Sequence, residues 1–277
     1  MPEEDQTQSL SEFRQMMDES LRTHDSWLAL AGLFWLKPGL NRIGSSSGME
    51  VPLPPQHAPA FLGEISLEDH NVTLRVSSQY RVKIDGQDVI QSVLMPDSSG
   101  DPTIVHLGPL TWIVIERGER LGIRLWDNSR AEMHAFPGRR WFPERPEFQV
   151  EAKFLQHAGP QQLRIESTIG ETEFVTAAGT LEFELDGQKL TLQAMGDPGV
   201  GLTVLFKDLT NGDTTYSPGR YLALEAVEDD LVELDFNRAY NPPCAFTDYA
   251  TCPLPPVENY LPIRIEAGER LPDQHGV

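Results

Sequence analysis

One stretch decides how this chain is organised: residues 231–266 read LVELDFNRAYNPPCAFTDYATCPLPPVENYLPIRIE. Its first residues alternate, with Val232, Leu234 and Phe236 on one side, which predicts a β-strand with one buried face. A second strand, the last of the chain, is predicted at residues 262–266. Between the two strands lies a polar, proline-rich segment, residues 237–259, which we call the signature loop.

The signature loop is predicted to be rigid and largely buried. It contains five prolines, and each of them fixes φ and removes a backbone donor, so the loop does not suit a sheet interior. It has no glycine hinge. Phe246, Leu254 and Val257 are expected to anchor it on the core, while Asn241 and Asn259 satisfy backbone groups that the prolines leave unpaired.

Candidate site residues surround the junction between strand and loop. If the protein is an enzyme, Asp235 is the predicted acid or base and Cys244 the predicted nucleophile. Arginine has fork-shaped donors that suit carboxylate or phosphate groups, so a small anionic ligand is predicted here. The predicted ligand-binding residues are Arg220, Asn237, Arg238, Tyr240 and Asn241. In the structural alternative, Asp235 pairs with Arg238 or Arg220 and simply holds the loop in place.

The two cysteines of the chain, Cys244 and Cys252, both lie in the signature loop. Four interpretations stay open: small buried apolar side chains, a disulfide, zinc ligands, or a nucleophile at Cys244. The loop has no histidine, so no metal site is predicted. A nucleophilic cysteine would need its base from a distant segment that carries His106 or His134.

The run DFNRAYNPPCAFTDYATCPLPPVENYLPIRIEAGE, residues 235–269, resembles the signature of a bacterial and archaeal family catalogued as a domain of unknown function, number 1684. The resemblance extends to residues 26–28, 32–36, 117–118 and 216–221. It implies no activity, substrate or cofactor, because the family carries no established one.

The rest of the sequence predicts a mainly β protein with a helical N-terminal segment. Residues 1–38 are predicted to be helical, with a capping box at Ser9 and Glu12 and a second helix over residues 27–35. Short alternating strands then predict a β-sandwich over residues 39–127. A linker is expected over residues 128–147, followed by a second β unit, a barrel or sandwich, over residues 148–277.

The predicted sandwich resembles a forkhead-associated domain in the order of its features, beginning with Arg42-Ile43-Gly44. The resemblance implies a forkhead-associated-like β-sandwich. Such domains bind phosphothreonine through an arginine just after the early glycine and a later serine and asparagine. Here Ser45 follows Gly44 and Asp85 stands where asparagine is expected, so this chain departs from the phosphothreonine-binding pattern.

Charge limits the possible partners. The chain has 42 acidic and 22 basic residues, for a net charge of −20. A field of this sign repels nucleic acids and anionic membranes, so neither is expected as a partner. The N-terminus lacks the features of a signal peptide, and no apolar run approaches the roughly 20 residues that span a bilayer. We therefore expect a cytoplasmic protein.

These observations favour a protein that binds a small anionic molecule at the signature loop and that, if it is an enzyme, transforms it. The alternative is a protein-interaction module in which the forkhead-associated-like sandwich recognises a partner and the signature loop is structural. The sequence identifies no cofactor, and it leaves the reaction and the oligomeric state open.

Overall fold

The computed structural model describes residues 9–130, 133 and 135–272. The protein is mainly β with a helix near its N-terminus, which confirms the predicted fold class. The chain divides into two compact units: the described residues up to Ser20 join those from Pro137 onward, and Leu21–Phe136 forms the other unit. The helix therefore groups with the C-terminal residues, and the linker expected over residues 128–147 is shared between the units.

The unit Leu21–Phe136 contains two β-sheets. Its strands are β1 (Leu30–Trp35), β2 (Gly39–Gly44), β3 (Val51–Pro52), β4 (Gly63–Glu68), β5 (Asn71–Val76), β6 (Val82–Ile84), β7 (Gln87–Val89), β8 (Gln91–Leu94), β9 (Val105–Leu107), β10 (Leu110–Arg117) and β11 (Arg120–Asp127), and a short 3-10 helix covers Asp97–Ser99. One sheet has the order β1-β11-β10-β9-β6-β7 and the other β3-β2-β4-β5-β8. Ile65, Leu74, Trp112 and Ile123, which come from both sheets, share one hydrophobic core. The predicted β-sandwich is confirmed in this unit.

The first strand lies where the sequence predicts a second helix, so the prediction of a helix over residues 27–35 is wrong. Leu30–Trp35 forms β1 and pairs antiparallel with β11. A short apolar run does not distinguish a buried strand from a buried helix by periodicity. Two glycines make room for the aromatic side chains of this strand. A Cβ on Gly32 would lie 2.3 Å from the Phe34 ring, and one on Gly122 would lie 2.9 Å from the Trp35 ring.

The other unit begins with α1 (Leu10–Ser20). The capping box precedes it as predicted, because Ser9 N donates to Glu12 Oε2 at 2.9 Å and Glu12 N donates to Ser9 Oγ at 3.2 Å. The strands of the unit are β12 (Gln149–Glu166), β13 (Thr172–Leu185), β14 (Gln188–Asp197), β15 (Gly201–Phe206), β16 (Arg220–Leu224) and β17 (Leu231–Asp235). Short 3-10 helices cover Pro146–Phe148, Phe236–Arg238, Pro243–Ala245 and Val257–Asn259.

The six strands of this unit form one antiparallel sheet with the order β16-β15-β14-β13-β12-β17. Its edge strands, β16 and β17, contact each other, so the sheet curls into a nearly closed barrel. Val232, Leu234 and Phe236 lie in its core, as the alternation predicts. The expectation of a second β unit of barrel type is therefore confirmed.

The longest strands of the barrel are β12 and β13. In the structure their pairing passes from Gln156 opposite Gly179 to Gln161 opposite Ala177, so β12 carries extra residues at an irregularity. Gly159 and Pro160 lie in that irregularity. A bulge accommodates such residues without ending the strand.

The segment that follows the signature loop is not a strand, so the prediction of a final strand over residues 262–266 is wrong. Leu209 N donates to Ile263 O at 2.9 Å, and Ile265 N donates to Asp208 Oδ1 at 3.3 Å. Pro262 has no N–H, so a strand here would lack one ladder hydrogen bond. The segment is instead held by a loop and by side chains.

Arg220 is the main anchor of that segment. Its side chain is fully buried, and its Nη2 lies 2.7 Å from Asp208 Oδ2. Nη2 also donates to Ile265 O at 3.0 Å, and Nη1 donates to Ala267 O. Burial lowers the pKa of Arg220, while the Asp208 carboxylate acts in the opposite direction. Arg220, a predicted ligand-binding residue, therefore donates its hydrogen bonds to Asp208 and to backbone carbonyls of the same unit.

We expect Arg220→Ala to lower the free energy of unfolding by about 3–5 kcal/mol, because it leaves the Asp208 carboxylate buried without its partner. The matched control is Arg264→Ala, which removes an exposed arginine paired with Asp213 at 2.8 Å. Solvent screens such an exposed pair, so its loss should cost far less than the loss of Arg220. Urea denaturation of both variants is the measurement, and equal losses would contradict the anchoring role of Arg220.

Candidate functional site

The signature loop begins directly after β17 and lies largely against the barrel. Asn241, Phe246, Cys252 and Asn259 are buried, so its predicted burial is confirmed for these positions. Val257 is 74% exposed and therefore does not anchor the loop as expected. Asn259 has the predicted role of satisfying backbone groups, since its side chain bonds Gln193 N and O and Leu205 O.

Asp235, Asn237 and Arg238 form a local cluster where the strand meets the loop. Asp235 Oδ1 accepts from Asn237 N at 3.0 Å and from Asn237 Nδ2 at 2.9 Å, while Oδ2 lies 3.4 Å from Arg238 Nε. Asn237 also bonds both backbone groups of Arg145, with Oδ1 accepting from N at 2.9 Å and Nδ2 donating to O at 3.0 Å. These are the contacts expected from the structural alternative, in which Asp235 pairs with Arg238.

Asn241 reaches a second buried ion pair, which the sequence analysis missed. Its backbone N donates to Glu269 Oε2 at 2.8 Å, and its Nδ2 donates to Arg270 O at 2.8 Å. The same Glu269 oxygen lies 2.7 Å from Arg139 Nη1, and the two side chains are 1% and 4% exposed. Burial raises the pKa of Glu269 to about 7, against the opposing effect of Arg139. Arg139 lies in the linker expected over residues 128–147 and Glu269 ends the signature run, but no sequence pattern links two residues 130 positions apart.

One glycine lets this segment approach the loop closely. Gly268 has a φ of +77°, and a Cβ there would lie 2.5 Å from Ala239 O. The close approach allows Glu269 N to donate to Ala239 O at 2.7 Å. Only glycine meets both requirements without strain.

Arginines and aromatic rings alternate along one side of the loop. Arg238 lies over the Phe13 ring at 5.4 Å, and the Phe13 and Trp141 rings are 6.0 Å apart in an edge-on arrangement. Arg14 lies over the Trp141 ring at 5.1 Å and donates from Nη2 to Phe142 O at 3.1 Å. Helix α1 therefore links the loop to the segment around Trp141.

Two further pairs extend this arrangement: Arg139 lies 4.6 Å from the Phe246 ring and Arg270 5.3 Å from the Phe142 ring. Tyr240 borders it, since burial raises the pKa of Tyr240 and the Arg139 charge acts against that rise. We call the whole group the arginine–aromatic cluster; its members are Arg14, Arg139, Arg238, Arg270, Phe13, Trp141, Phe142 and Phe246.

Hydrogen-bond donors outnumber acceptors in this cluster. Among the described residues, the buried Arg14 Nε, Trp141 Nε1 and Arg270 Nε have no hydrogen-bond acceptor. Burial lowers the pKa of Arg14, while Glu144 and Asp235 act in the opposite direction. The cluster is thus a concentration of cationic donors in a chain whose net charge is −20.

Neither of the two cysteines is in a disulfide, and they lie close together. Cys244 is half-buried and Cys252 is buried. Cys244 N donates to Cys252 Sγ at 3.2 Å, and the Tyr216 hydroxyl donates to Cys244 O at 2.7 Å. Hydrogen bonding to the Cys252 thiol lowers the pKa of Cys244, against the opposing effect of burial.

The structure does not place His106 or His134, the two histidines named as possible bases for Cys244, beside that cysteine. His106 belongs to β9 of the sandwich unit, where its Nδ1 lies 3.2 Å from Thr111 Oγ1, and His134 lies outside the described residues. Within the described part of the chain, no group of three or more histidine, cysteine, aspartate or glutamate residues is arranged to hold a metal ion.

In the sandwich unit, the positions compared with forkhead-associated domains make local contacts. Arg42 Nε lies 3.0 Å from Glu50 Oε2, and Ser45 Oγ donates to Ala58 O at 3.0 Å. Asp85 has a φ of +52° and precedes Gly86 in the turn between β6 and β7. The Arg42 guanidinium is therefore paired with a carboxylate of the same sheet edge.

Comparison with known proteins gives one family. Residues 134–270 match the model of the family described as "Protein of unknown function (DUF1684)". This part of the chain resembles that family. The match includes residues 216–221 and the signature loop, but it does not reach residues 26–28, 32–36 or 117–118, where the sequence analysis expected the resemblance to continue. No curated protein matches the chain.

Two solved structures show the extent of similarity at the level of coordinates. An uncharacterized protein of Haloarcula marismortui, solved by solution NMR, is 37% identical, covers 51% of this chain and 80% of its own length, and has a TM-score of 0.42. A chain from an analysis of phosphothreonine-dependent FHA domain interactions is 17% identical, covers 34% of this chain and 92% of its own length, and has a TM-score of 0.24. At these TM-scores neither likeness implies anything further about this chain.

None of the helices in the described residues is long and apolar enough to cross a membrane.

Glu269 gives a prediction for the pH dependence of stability. Its folded pKa of about 7 lies above the ordinary value near 4.5, so between these two pH values the folded state binds more protons than the unfolded state. The contribution of Glu269 to the free energy of unfolding therefore falls as pH rises from about 4.5 to 7, by on the order of 3 kcal/mol. Glu269→Gln removes this component.

The measurement is urea denaturation of the wild type and Glu269→Gln at several pH values. Wild-type stability should fall relative to the variant as pH rises through that window, even though the variant is weaker overall because Arg139 loses its carboxylate. Glu258→Gln, at an exposed position of the signature loop, controls for the loss of one carboxylate. A wild-type curve that rises relative to Glu269→Gln over this window would reverse the sign and refute the raised pKa.

Proposed function

We propose that the protein binds a small anionic molecule on the arginine–aromatic cluster beside the signature loop. The observation that carries the proposal is a set of four arginines in one place of a strongly acidic chain, with guanidinium carbons 4.6–5.4 Å from aromatic ring centroids. A guanidinium held over a ring can direct N–H donors at carboxylate or phosphate oxygens. The excess of donors over acceptors in the cluster supports an acceptor-rich ligand.

The proposal assigns ligand contact to Arg238, Arg14, Arg270 and Tyr240. Arg238 has a side chain 23% exposed, and Arg14, Arg270 and Tyr240 are half-buried. Arg139 has its charge engaged by Glu269 and sits too deep for direct contact, so its role is to position Phe246 and the loop. Asn237, Asn241 and Arg220 support the loop and the segment behind it.

The proposal is limited to binding, because the two predicted catalytic residues have other contacts. The Asp235 carboxylate accepts hydrogen bonds from Asn237 and lies beside Arg238. Cys244 has no described histidine next to it that would serve as its base. A small anion held against Arg238 would lie beside Asp235, so the Asp235–Arg238 pair would also set the orientation of that guanidinium.

Calorimetric titration with inorganic phosphate and with citrate at low ionic strength tests the proposal, because salt screens exposed charges. We expect Arg238→Ala to weaken binding of the preferred anion by about tenfold or more, since one charge-assisted hydrogen bond contributes about 1.5–3 kcal/mol. Arg238→Lys should recover little of the loss, because lysine keeps the charge but not the planar, forked set of donors.

The matched control is Arg264→Ala, which removes an exposed arginine of the same unit that lies outside the cluster. It should bind the anion as the wild type does. If neither phosphate nor citrate binds the wild type, or if both arginine variants lose the same affinity, anion binding at the cluster is ruled out.

A further inference from the structure

The two cysteines form a close pair within a stiff part of the signature loop. The hydrogen bond from Cys244 N to Cys252 Sγ measures 3.2 Å, and a backbone N–Cα bond is about 1.46 Å long. The Cys252 sulfur therefore lies within about 4.7 Å of Cys244 Cα. A disulfide needs its two Cα atoms about 4.4–6.8 Å apart, and this placement of the sulfur is compatible with that range.

Flanking prolines and neighbouring residues hold each cysteine in place through contacts that leave its sulfur available. Pro242 and Pro243 precede Cys244 and Pro253 follows Cys252, so the backbone on either side has few conformations. The Tyr216 hydroxyl holds Cys244 O, and Thr168 N donates to Cys252 O at 2.9 Å. Each cysteine is therefore tied to a different part of the unit by a contact that does not involve its sulfur.

We propose that Cys244 and Cys252 are a redox-active dithiol that closes reversibly to an intramolecular disulfide by exchange with a small-molecule disulfide. The inference does not depend on anion binding, because it involves neither Arg238 nor the rest of the arginine–aromatic cluster. It assigns a covalent modification to residues that are both reduced in the structure.

The exchange takes place in two balanced steps. The Cys244 thiol loses its proton, and the thiolate attacks one sulfur of the external disulfide, which forms a mixed disulfide and releases one small thiolate. The Cys252 thiol then loses its proton and attacks the Cys244 sulfur, which forms the protein disulfide and releases the second small thiolate. Both thiolates take up the two protons, so the protein loses two electrons and the external disulfide gains them.

The difference in exposure sets the order of the two steps. Cys244 is half-buried and meets the external disulfide first, whereas Cys252 is 4% exposed and reacts only with its neighbour. Hydrogen bonds from the Cys252 thiol and Tyr216 lower the pKa of Cys244, which increases its thiolate fraction. Cys244 is thus the attacking thiol and Cys252 the resolving one.

The test uses the full chain in glutathione buffers with an increasing ratio of oxidised to reduced glutathione. Unreacted thiols are trapped with N-ethylmaleimide in denaturant, so that the buried Cys252 is also counted, and the intact mass is measured. We expect the wild type to pass from two alkylated thiols to none, with no glutathione retained and no dimer on a non-reducing gel. Cys252→Ser should stop at one glutathione bound to Cys244. In Cys244→Ser, the remaining Cys252 thiol should react with oxidised glutathione at least about tenfold more slowly than Cys244 does in Cys252→Ser.

Three outcomes would overturn the proposal: a wild type that keeps both thiols in the most oxidising buffer, a wild type that accumulates bound glutathione as Cys252→Ser does, or equal reactivity of the two single variants. Circular dichroism checks that each variant is folded. If a serine variant unfolds because its hydroxyl is buried, the corresponding alanine variant replaces it. The wild-type result alone decides whether the disulfide forms.

Discussion

The buried pair between Arg220 and Asp208 is the interaction on which the barrel unit depends. A guanidinium without solvent is stable only when a carboxylate and further acceptors surround it. Here those acceptors include the carbonyls of Ile265 and Ala267, so the last described segment is required to satisfy the charge. This requirement explains why the segment lies beside β16 without joining the sheet, and why residues that alternate like a strand do not form one.

The same segment continues into the second buried pair, Arg139 with Glu269. Glu269 accepts from Asn241 N, so one carboxylate ties the signature loop to the junction that carries Trp141. Helix α1 also packs on Trp141 through Phe13. The helix, the signature loop and the segment around Trp141 therefore meet around the buried Arg139–Glu269 pair. Arg139 belongs to both this buried pair and the arginine–aromatic cluster, so the pair fixes the position of the cluster.

Much of the fold is predictable from sequence, because a strand with one buried face shows alternating apolar and polar residues, as the strand with Val232, Leu234 and Phe236 does. The capping box at Ser9 is equally local. The two wrong predictions, the helix over residues 27–35 and the strand over residues 262–266, each have a physical cause. β1 is apolar on both faces, so periodicity does not distinguish it from a buried helix. Residues 262–266 alternate like a strand, but a loop and side chains hold them instead of a sheet. The sequence also indicated which loop carries the candidate site. It did not indicate Arg139 and Glu269, because a pair 130 positions apart in sequence is brought together only by the tertiary fold.

The division of the chain has a consequence for its synthesis. Helix α1 belongs to the same unit as the barrel, yet the whole sandwich unit, Leu21–Phe136, separates them along the chain. On the ribosome, α1 emerges before the sandwich unit and lacks its packing partners until the segment around Trp141 and the signature loop have followed. An isolated helix of 11 residues is marginal in water. Helix α1 is therefore made before the barrel but ordered only after it, and the contact between the two closes a stretch of chain that spans the whole sandwich unit.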